Sequence, residues 1–258
     1  MGILNVTPDS FYDGSCYNGE LAIGNRIEQM IEEGVNIIDL GAMSTKPGSA
    51  EVSVEEEMQR LKPALKMLNK YFPETVVSVD TYRANIAREV VEKYGVAIVN
   101  DISAGELDTN MFQTIAELKV PYVMMHIKGT PQNMQNAPQY NDLVQEVMMF
   151  FAQKMEQAKL LGIPDVIIDP GFGFGKTVEH NYELLKNMET LKILEKPILV
   201  GVSRKSMIYK VLETDPENAL TGTIALNMAA LLKGASILRV HDVKDAVQTV
   251  AVFNKLMI

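Results

Sequence analysis

Eight short runs of apolar and β-branched residues recur through the 258-residue chain at nearly even spacing, at residues 3–5, 36–40, 76–80, 97–101, 122–126, 166–169, 198–202 and 237–240. They are almost continuously apolar rather than alternating, as strands covered on both faces of a parallel sheet are. Helix-length amphipathic segments lie between them, among them 55–71, 83–94, 141–161 and 220–233, and Gly95, Gly162 and Gly234 stand where a helix ends in a left-handed cap. One strand and one helix in about every 32 residues predicts an α/β chain folded as a (β/α)8 TIM barrel, whose usual length is roughly 250 residues. A doubly wound sheet needs fewer strands. No Pro/Gly/Ser-rich linker divides the chain, so residues 1–258 read as a single domain. The first run opens almost at Met1, from which we expect a natural N-terminal segment capping the bottom of the barrel to be missing.

Charge narrows the partners. Lysine and arginine number 24 against 33 aspartates and glutamates, a net charge of −9, which argues against a general nucleic-acid or anionic-membrane surface. An anionic ligand therefore has to meet a local basic cluster. The single cysteine, Cys16, has no partner for a disulfide within the chain, and no apolar run approaches the ~18 residues of a membrane span, so a cytoplasmic setting is expected.

Most of the runs close on a polar group: Asn5, Asp39, Asp80, Asn100, His126, Asp169, Ser203, and Arg239 with His241. In a barrel all the carboxyl ends of the strands share one face, where barrel enzymes build their active sites. Taken singly, such residues also serve as turn formers. After the sixth run, residues 169–177 read Asp-Pro-Gly-Phe-Gly-Phe-Gly-Lys-Thr, but Pro170 stands where a P-loop needs its first glycine, and the glycines miss the dinucleotide spacing. What remains is a strand-end carboxylate followed by a backbone that permits close approach of a flat ligand, with Phe172 and Phe174 as walls. Asp80, Asn100 and Asp169 suit a planar heterocycle with a guanidine-like donor edge. A two-carboxylate glycosidase is the rival use of the aspartates, but it leaves the basic residues unexplained. Those residues lie at 203–206 (Ser-Arg-Lys-Ser) and at Arg239 and His241, the last two strand ends, where barrels often bind phosphate; Arg239 and His241 share one side of an extended backbone.

Loops 5–11 and 44–49 are long enough to serve as lids, and the sequon at Asn5 is discounted for a cytoplasmic chain. The three histidines have no zinc spacing; His180 is placed at an exposed helix start, and His126 is either a satisfied strand-end histidine or a ligand group. The 16 methionines read mostly as core filler.

The segments GILNVTPDSF, STKPG, SVDTY, ND, MHIKGTPQNMQ, DPGFGFGK, GVSRKS and RVHD, one at almost every strand end, together resemble the dihydropteroate synthases over nearly the whole chain. The resemblance implies a barrel, usually homodimeric, that joins 4-aminobenzoate to (7,8-dihydropterin-6-yl)methyl diphosphate with Mg2+ present, releases diphosphate, and is a target of sulfonamides. It implies that Asp80, Asn100, Ile102, Met125, Asp169 and Lys205 bind the pterin, and that Asn5, Arg239 and His241 bind the diphosphate, Asn5 also holding the metal. Thr45, Lys46, Pro47, Phe174 and Ser206 fall on the 4-aminobenzoate side, and Asp80, Asp169, Lys205 and Asn5 carry the catalysis. Loss of diphosphate leaves a cationic pterin that buried carboxylates stabilise, so no strong general base is required. The second loop departs from the family: Ala42-Met43 and Lys46 replace the common Gly-Glu and Arg, and lysine keeps the charge without the planar fork. Two rival readings remain, a methyltransferase moving a methyl group from a folate to a corrinoid protein, and a catalytically silent pterin binder.

Overall fold

A computed structural model of the chain describes residues 1–7, 16–43, 52–130, 134 and 138–258, excluding the side chains of 16–18. Eight parallel strands, β1 (Gly2–Asn5), β2 (Ile37–Gly41), β3 (Val76–Asp80), β4 (Ile98–Asp101), β5 (Tyr122–Met125), β6 (Val166–Asp169), β7 (Leu199–Val200) and β8 (Ile237–Leu238), follow one another in space in chain order. The first six are paired without a break, and β7 pairs with β8. Two single bridges, Ile168 with Ile198 and Gly2 with Val240, join the two sheets at both seams and close the barrel. The second seam is reinforced where Ile3 N donates to Val240 O at 2.8 Å and Val240 N to Met1 O at 2.9 Å.

The helices are α1 (Cys16–Glu32), α2 (Val54–Tyr71), α3 (Ala84–Tyr94), α4 (Met111–Leu118), α5 (Leu143–Leu160), α6 (Val178–Asn187), the single-turn α7 (Ser206–Tyr209), α8 (Leu220–Leu232) and α9 (Val243–Leu256), with a 3-10 helix at Met188–Leu194. Local chemistry sets their ends. Ser53, Asp142 and Thr177 cap α2, α5 and α6 by accepting from the N–H three residues on. Gly95 (φ +66°), Gly162 (φ +74°) and Gly234 (φ +102°) adopt the left-handed conformation expected of them.

The strands carry two different faces. Ile38, Leu40, Val77 and Val79 pack outward with α2, and Val99, Met124, Ile168 and Val200 join the core beneath the later helices. On the inward face, Ile98, Val123, Ile167 and Leu199 form one cluster with Ile37 and Ile237, a single residue from each of six strands. Two residues further along the same strands stand Asp39, Asn100, Met125, Asp169 and Arg239. The strict two-residue period of a strand thus turns an apolar floor into a polar mouth. β7 and β8 are shorter than the predicted 198–202 and 237–240, because beyond Val200 and Leu238 only isolated contacts continue, such as Arg239 N to Val200 O at 2.8 Å.

Candidate active site

The barrel mouth is organised around Arg239. Its Nε donates to Asp39 Oδ2 at 2.7 Å and its Nη2 to Asp80 Oδ2 at 2.8 Å, bridging β8 to β2 and β3. Asn100 Nδ2 donates to the same Asp39 oxygen at 3.1 Å. Asp39 is fully buried, and its Oδ1 has no hydrogen-bond partner among the described residues. Opposite, Asp169 takes the Gly171 N–H on Oδ1 at 2.8 Å. Lys205 Nζ donates to Phe172 O at 2.5 Å and lies 4.7 Å from the centre of the Phe174 ring. Among the described residues the mouth thus sets three carboxyl groups, Asp39, Asp80 and Asp169, against two basic ones, Arg239 and Lys205.

Burial and charge move these groups in opposite senses. Burial lifts Asp80 to about 7, with Arg239 opposing and Asp39 adding. Asp169 is also raised by burial, against the pull of Lys205. Burial lowers the Lys205 ammonium to about 8, although Asp169 favours its charge. Arg239 is raised overall: desolvation works against its charge, but Asp39 and Asp80 outweigh it. Two groups meant for opposite charge are therefore poised within about one unit of each other near neutrality, as perturbed groups in functional sites often are.

The structure brings most of the predicted residues together. Ile102 and Met125 form a buried apolar cluster with Ile127 and Met134, against which Phe174 and Tyr82 pack. Asn5 ends β1 beside this mouth, and a Cβ on Gly41 would stand 3.0 Å from its Oδ1, so the glycine gives the amide room over the end of β2. His241 lies at the rim with Nδ1 3.0 Å from Ser203 Oγ, its basicity lowered to about 4 by desolvation and by Arg239. Ser206 opens α7 directly after Lys205. Thr45, Lys46 and Pro47 lie outside the described residues, as does most of each expected lid loop.

Three expectations are corrected. Arg204 does not join a basic cluster: it takes a left-handed φ of +54° and forks onto Asp242 at 2.9 and 2.8 Å, so residues 203–206 bring only Lys205 into the site. Phe172 is fully buried in the helix-side core and offers the mouth its carbonyl rather than its ring. His180 is half-buried in a capping box with Thr177 rather than exposed. Of the two readings of His126, the satisfied histidine is observed: its Nδ1 sits 2.9 Å from Lys176 Nζ, and burial and the neighbouring lysines push it down to about 2.

Two participants escaped the sequence reading. Asp39 was legible only as one strand end among several, although its two-residue offset from the inward Ile37 marks it as inward-facing. Lys176 stood out only as a cation within a run of Gly and Phe. A cleft of about 780 Å³ also opens outside the barrel between α3 and α4, but Arg88 there pairs with Glu92 and Glu117, and Lys93 with Glu89. Its charges neutralise each other, whereas those of the mouth leave ligand-facing atoms.

Comparison with known proteins agrees with this geometry. The family model described as pterin binding enzyme matches residues 1–241. The dihydropteroate synthase of Escherichia coli K12 is 42% identical over 254 residues, covering 98% of this chain and 89% of that protein. The crystal structure of the Yersinia pestis dihydropteroate synthase in a sulfonamide drug complex superposes with a TM-score of 0.93 at 39% identity, covering 100% of this chain and 93% of that one. The dihydropteroate synthase of Clostridium difficile, solved in the presence of pteroic acid, gives 0.93 at 37% identity, covering 99% and 95%.

Proposed function

The chain belongs to the pterin binding enzymes and, among them, to the dihydropteroate synthases, and we propose from that premise that it condenses 4-aminobenzoate with (7,8-dihydropterin-6-yl)methyl diphosphate to give 7,8-dihydropteroate and diphosphate. The observation that carries the reading is the inward ring of Asp80, Asn100, Asp169, Lys205 and Arg239, each from a different strand end, with a flat apolar wall of Ile102 and Met125 beside it.

Each side chain keeps an unfilled valence for a ligand. Asp169 has one oxygen on Gly171 N–H, and its other suits the paired N–H groups of a pterin edge. Asp80 uses Oδ2 on Arg239, leaving Oδ1 for a second pterin N–H. Lys205 spends one N–H on Phe172 O and has two more for the pterin ring's carbonyl and nitrogen acceptors. Arg239 has no acceptor for Nη1 among the described residues, and this N–H, with His241 at the rim, faces the diphosphate. Arg239 acts while tethered to two carboxylates, so it offers the leaving group a fixed direction more than a free charge.

The bond from the pterin CH2 to the diphosphate oxygen breaks with its electron pair leaving on diphosphate. The CH2 cation is stabilised by the Asp80 and Asp169 carboxylates across the ring. The unprotonated aromatic amine then attacks with its lone pair, forming the C–N bond and losing one proton to solvent or diphosphate; holding it against the cation supplies rate by orientation. Phe174 and Ser206 are assigned to that side, and so by family resemblance are Thr45, Lys46 and Pro47, which lie outside the described residues.

Mg2+ suits this donor set: Asn5 offers one neutral oxygen, no cluster of three His, Cys, Asp or Glu is found among the described residues, and the ion commonly takes few protein ligands, filling its shell with phosphate oxygens and water. When bound, it offsets charge on the leaving diphosphate. A homodimer fits the apolar character of α8, whose Leu232 is 51% exposed, and of the neighbouring α9, whose Val252 is 60% exposed. No helix among the described residues is long and apolar enough to cross a membrane, and the lone Cys16 accords with a cytoplasmic setting.

The test is product formation by a variant that spares the fold. Lys205→Ala is expected to lower turnover by about 100-fold or more in a chain that still folds cooperatively, since it removes a charged ligand contact and one hydrogen bond to Phe172 O rather than core packing. Turnover at the wild-type rate would refute the assignment of this site.

A further inference from the structure

We propose that Lys176 is a positioning residue for this reaction, holding the turn after β6 from behind so that Phe174 and the Phe172 carbonyl present a fixed seat to Lys205 and to the incoming amine. The inference rests on the function proposed above. Lys176 is 3% exposed and makes no hydrogen bond to the ligand-facing ring among the described residues; burial lowers its ammonium to about 7, with Asp169 favouring its charge and Lys205 opposing it. Its ammonium lies 2.9 Å from His126 Nδ1, 3.0 Å from Gly171 O and 3.1 Å from Phe174 O, with His126 O further off at 3.4 Å. Three N–H donors thus meet three close acceptors drawn from two loops. His126 is kept neutral by burial, which leaves one ring nitrogen without a proton, and the Lys176 ammonium beside Nδ1 selects that nitrogen as the acceptor.

The two loops it joins are packed backbone on backbone. A Cβ on Gly171, at φ +70°, would lie 1.9 Å from His126 O, and one on Gly175, at φ +61°, 2.5 Å from Lys128 O. Tyr140 adds a second tie, its hydroxyl donating to Gly175 O at 2.8 Å. On the opposite side of the same turn, Phe172 O accepts from Lys205 and the Phe174 ring lies beneath that ammonium. Gly173 sits between, where a Cβ would stand 3.1 Å from Lys205 Cδ. The turn is therefore a thin plate gripped by one lysine on each side. Only Lys205 faces the substrates. Without Lys176 the Phe174 carbonyl loses its lysine donor and the Gly171 carbonyl keeps only the Phe174 N–H, so the peptide unit after Phe174, together with the Phe174 ring, is freed to rotate.

The experiment compares Lys176→Met with the unaltered chain by two independent readouts. The first is amide hydrogen exchange over residues 170–177, expected to speed up by about tenfold or more in the variant while the barrel strands keep their protection. The second is a split between substrates: KM for 4-aminobenzoate rises by about tenfold, while the dissociation constant for the pterin diphosphate, measured by calorimetry, stays within about threefold. A merely structural lysine lowers the active fraction and leaves KM where it was. Unchanged exchange in the turn overturns the proposal, and so does an equal loss of affinity for both substrates. Should Lys176→Met fail to fold, Tyr140→Phe decides: it removes only the hydroxyl tie, and a rise of about two- to fivefold in the same KM is expected, with wild-type values overturning the idea. If the unaltered chain makes no dihydropteroate, the proposed function fails, and the exchange readout alone then judges the role of Lys176.

Discussion

Asp80 and Lys205 show how single residues acquire their roles here. Burial lifts the carboxyl to about 7 and lowers the ammonium to about 8, so the charged pair that the reaction uses reaches its greatest population only in a narrow interval between them. We therefore expect kcat/KM for the pterin substrate to rise with pH through about 7, as Asp80 ionises, and to fall above about 8, as Lys205 loses its proton. In Lys205→Arg the alkaline limb disappears, because guanidinium stays protonated; a pH–rate profile with the same limb in that variant rules out Lys205 as its source. His126 makes a stability statement. Its pKa falls from the ordinary histidine range to about 2 on folding, so its contribution is intact above the unfolded value and is lost as pH drops through it. Between pH 6.5 and 5 this amounts to about 2 kcal/mol. His126→Gln, which keeps an acceptor for Lys176, should remove that much of the acid destabilisation in urea titrations, while Asp80 and Asp169, whose raised values act with the opposite sign, continue to favour the folded chain at low pH. An identical pH slope in both proteins would show that His126 is not held neutral. Asp80, Asn100, Asp169 and Arg239 were legible in the sequence because each stands at or next to the end of an apolar run, and Lys205 because it lies in the basic segment that follows one. Asp39 and Lys176 were not, because their importance lies in partners 200 and 50 residues away, Arg239 and His126.

At the scale of elements, strands and helices were readable from apolar runs and glycine caps, to within a residue or two at β3, β6 and α2. Less readable was where a polar loop residue turns. Arg204 reads as a cation beside Lys205, but its left-handed backbone sends it to Asp242. Phe172 and Phe174 look equivalent in sequence, yet the turn after β6 places successive aromatic rings on opposite sides, one in the core and one at the mouth. That turn depends on close backbone approach. Gly171→Ala should destabilise the fold by about 3 kcal/mol or more, since the added carbon would overlap His126 O and the positive φ is itself costly. The check is a urea midpoint: a loss under about 1 kcal/mol would mean that the β5 and β6 loops are not locked together.

For the molecule as a whole, the proposed homodimer is placed on the exposed apolar residues Leu232 of α8 and Val252 of α9. Leu232→Lys combined with Val252→Asp is expected to halve the mass seen by light scattering without loss of helical signal; a single-chain mass for the unaltered protein would remove the homodimer from the account. The closed barrel was foreseeable because eight runs at even spacing leave few other arrangements, but the weak pairing of β7 and β8, completed by single bridges, depends on three-dimensional closure that no local pattern carries. The central claim is that all these features serve one coupled reaction at the barrel mouth. Its most direct measurement follows diphosphate and dihydropteroate together, from pterin diphosphate and Mg2+, with and without 4-aminobenzoate. Sustained release of diphosphate is expected only when 4-aminobenzoate is present, in equal amount to the dihydropteroate formed. Pterin diphosphate that binds but yields no dihydropteroate on addition of the amine would contradict it.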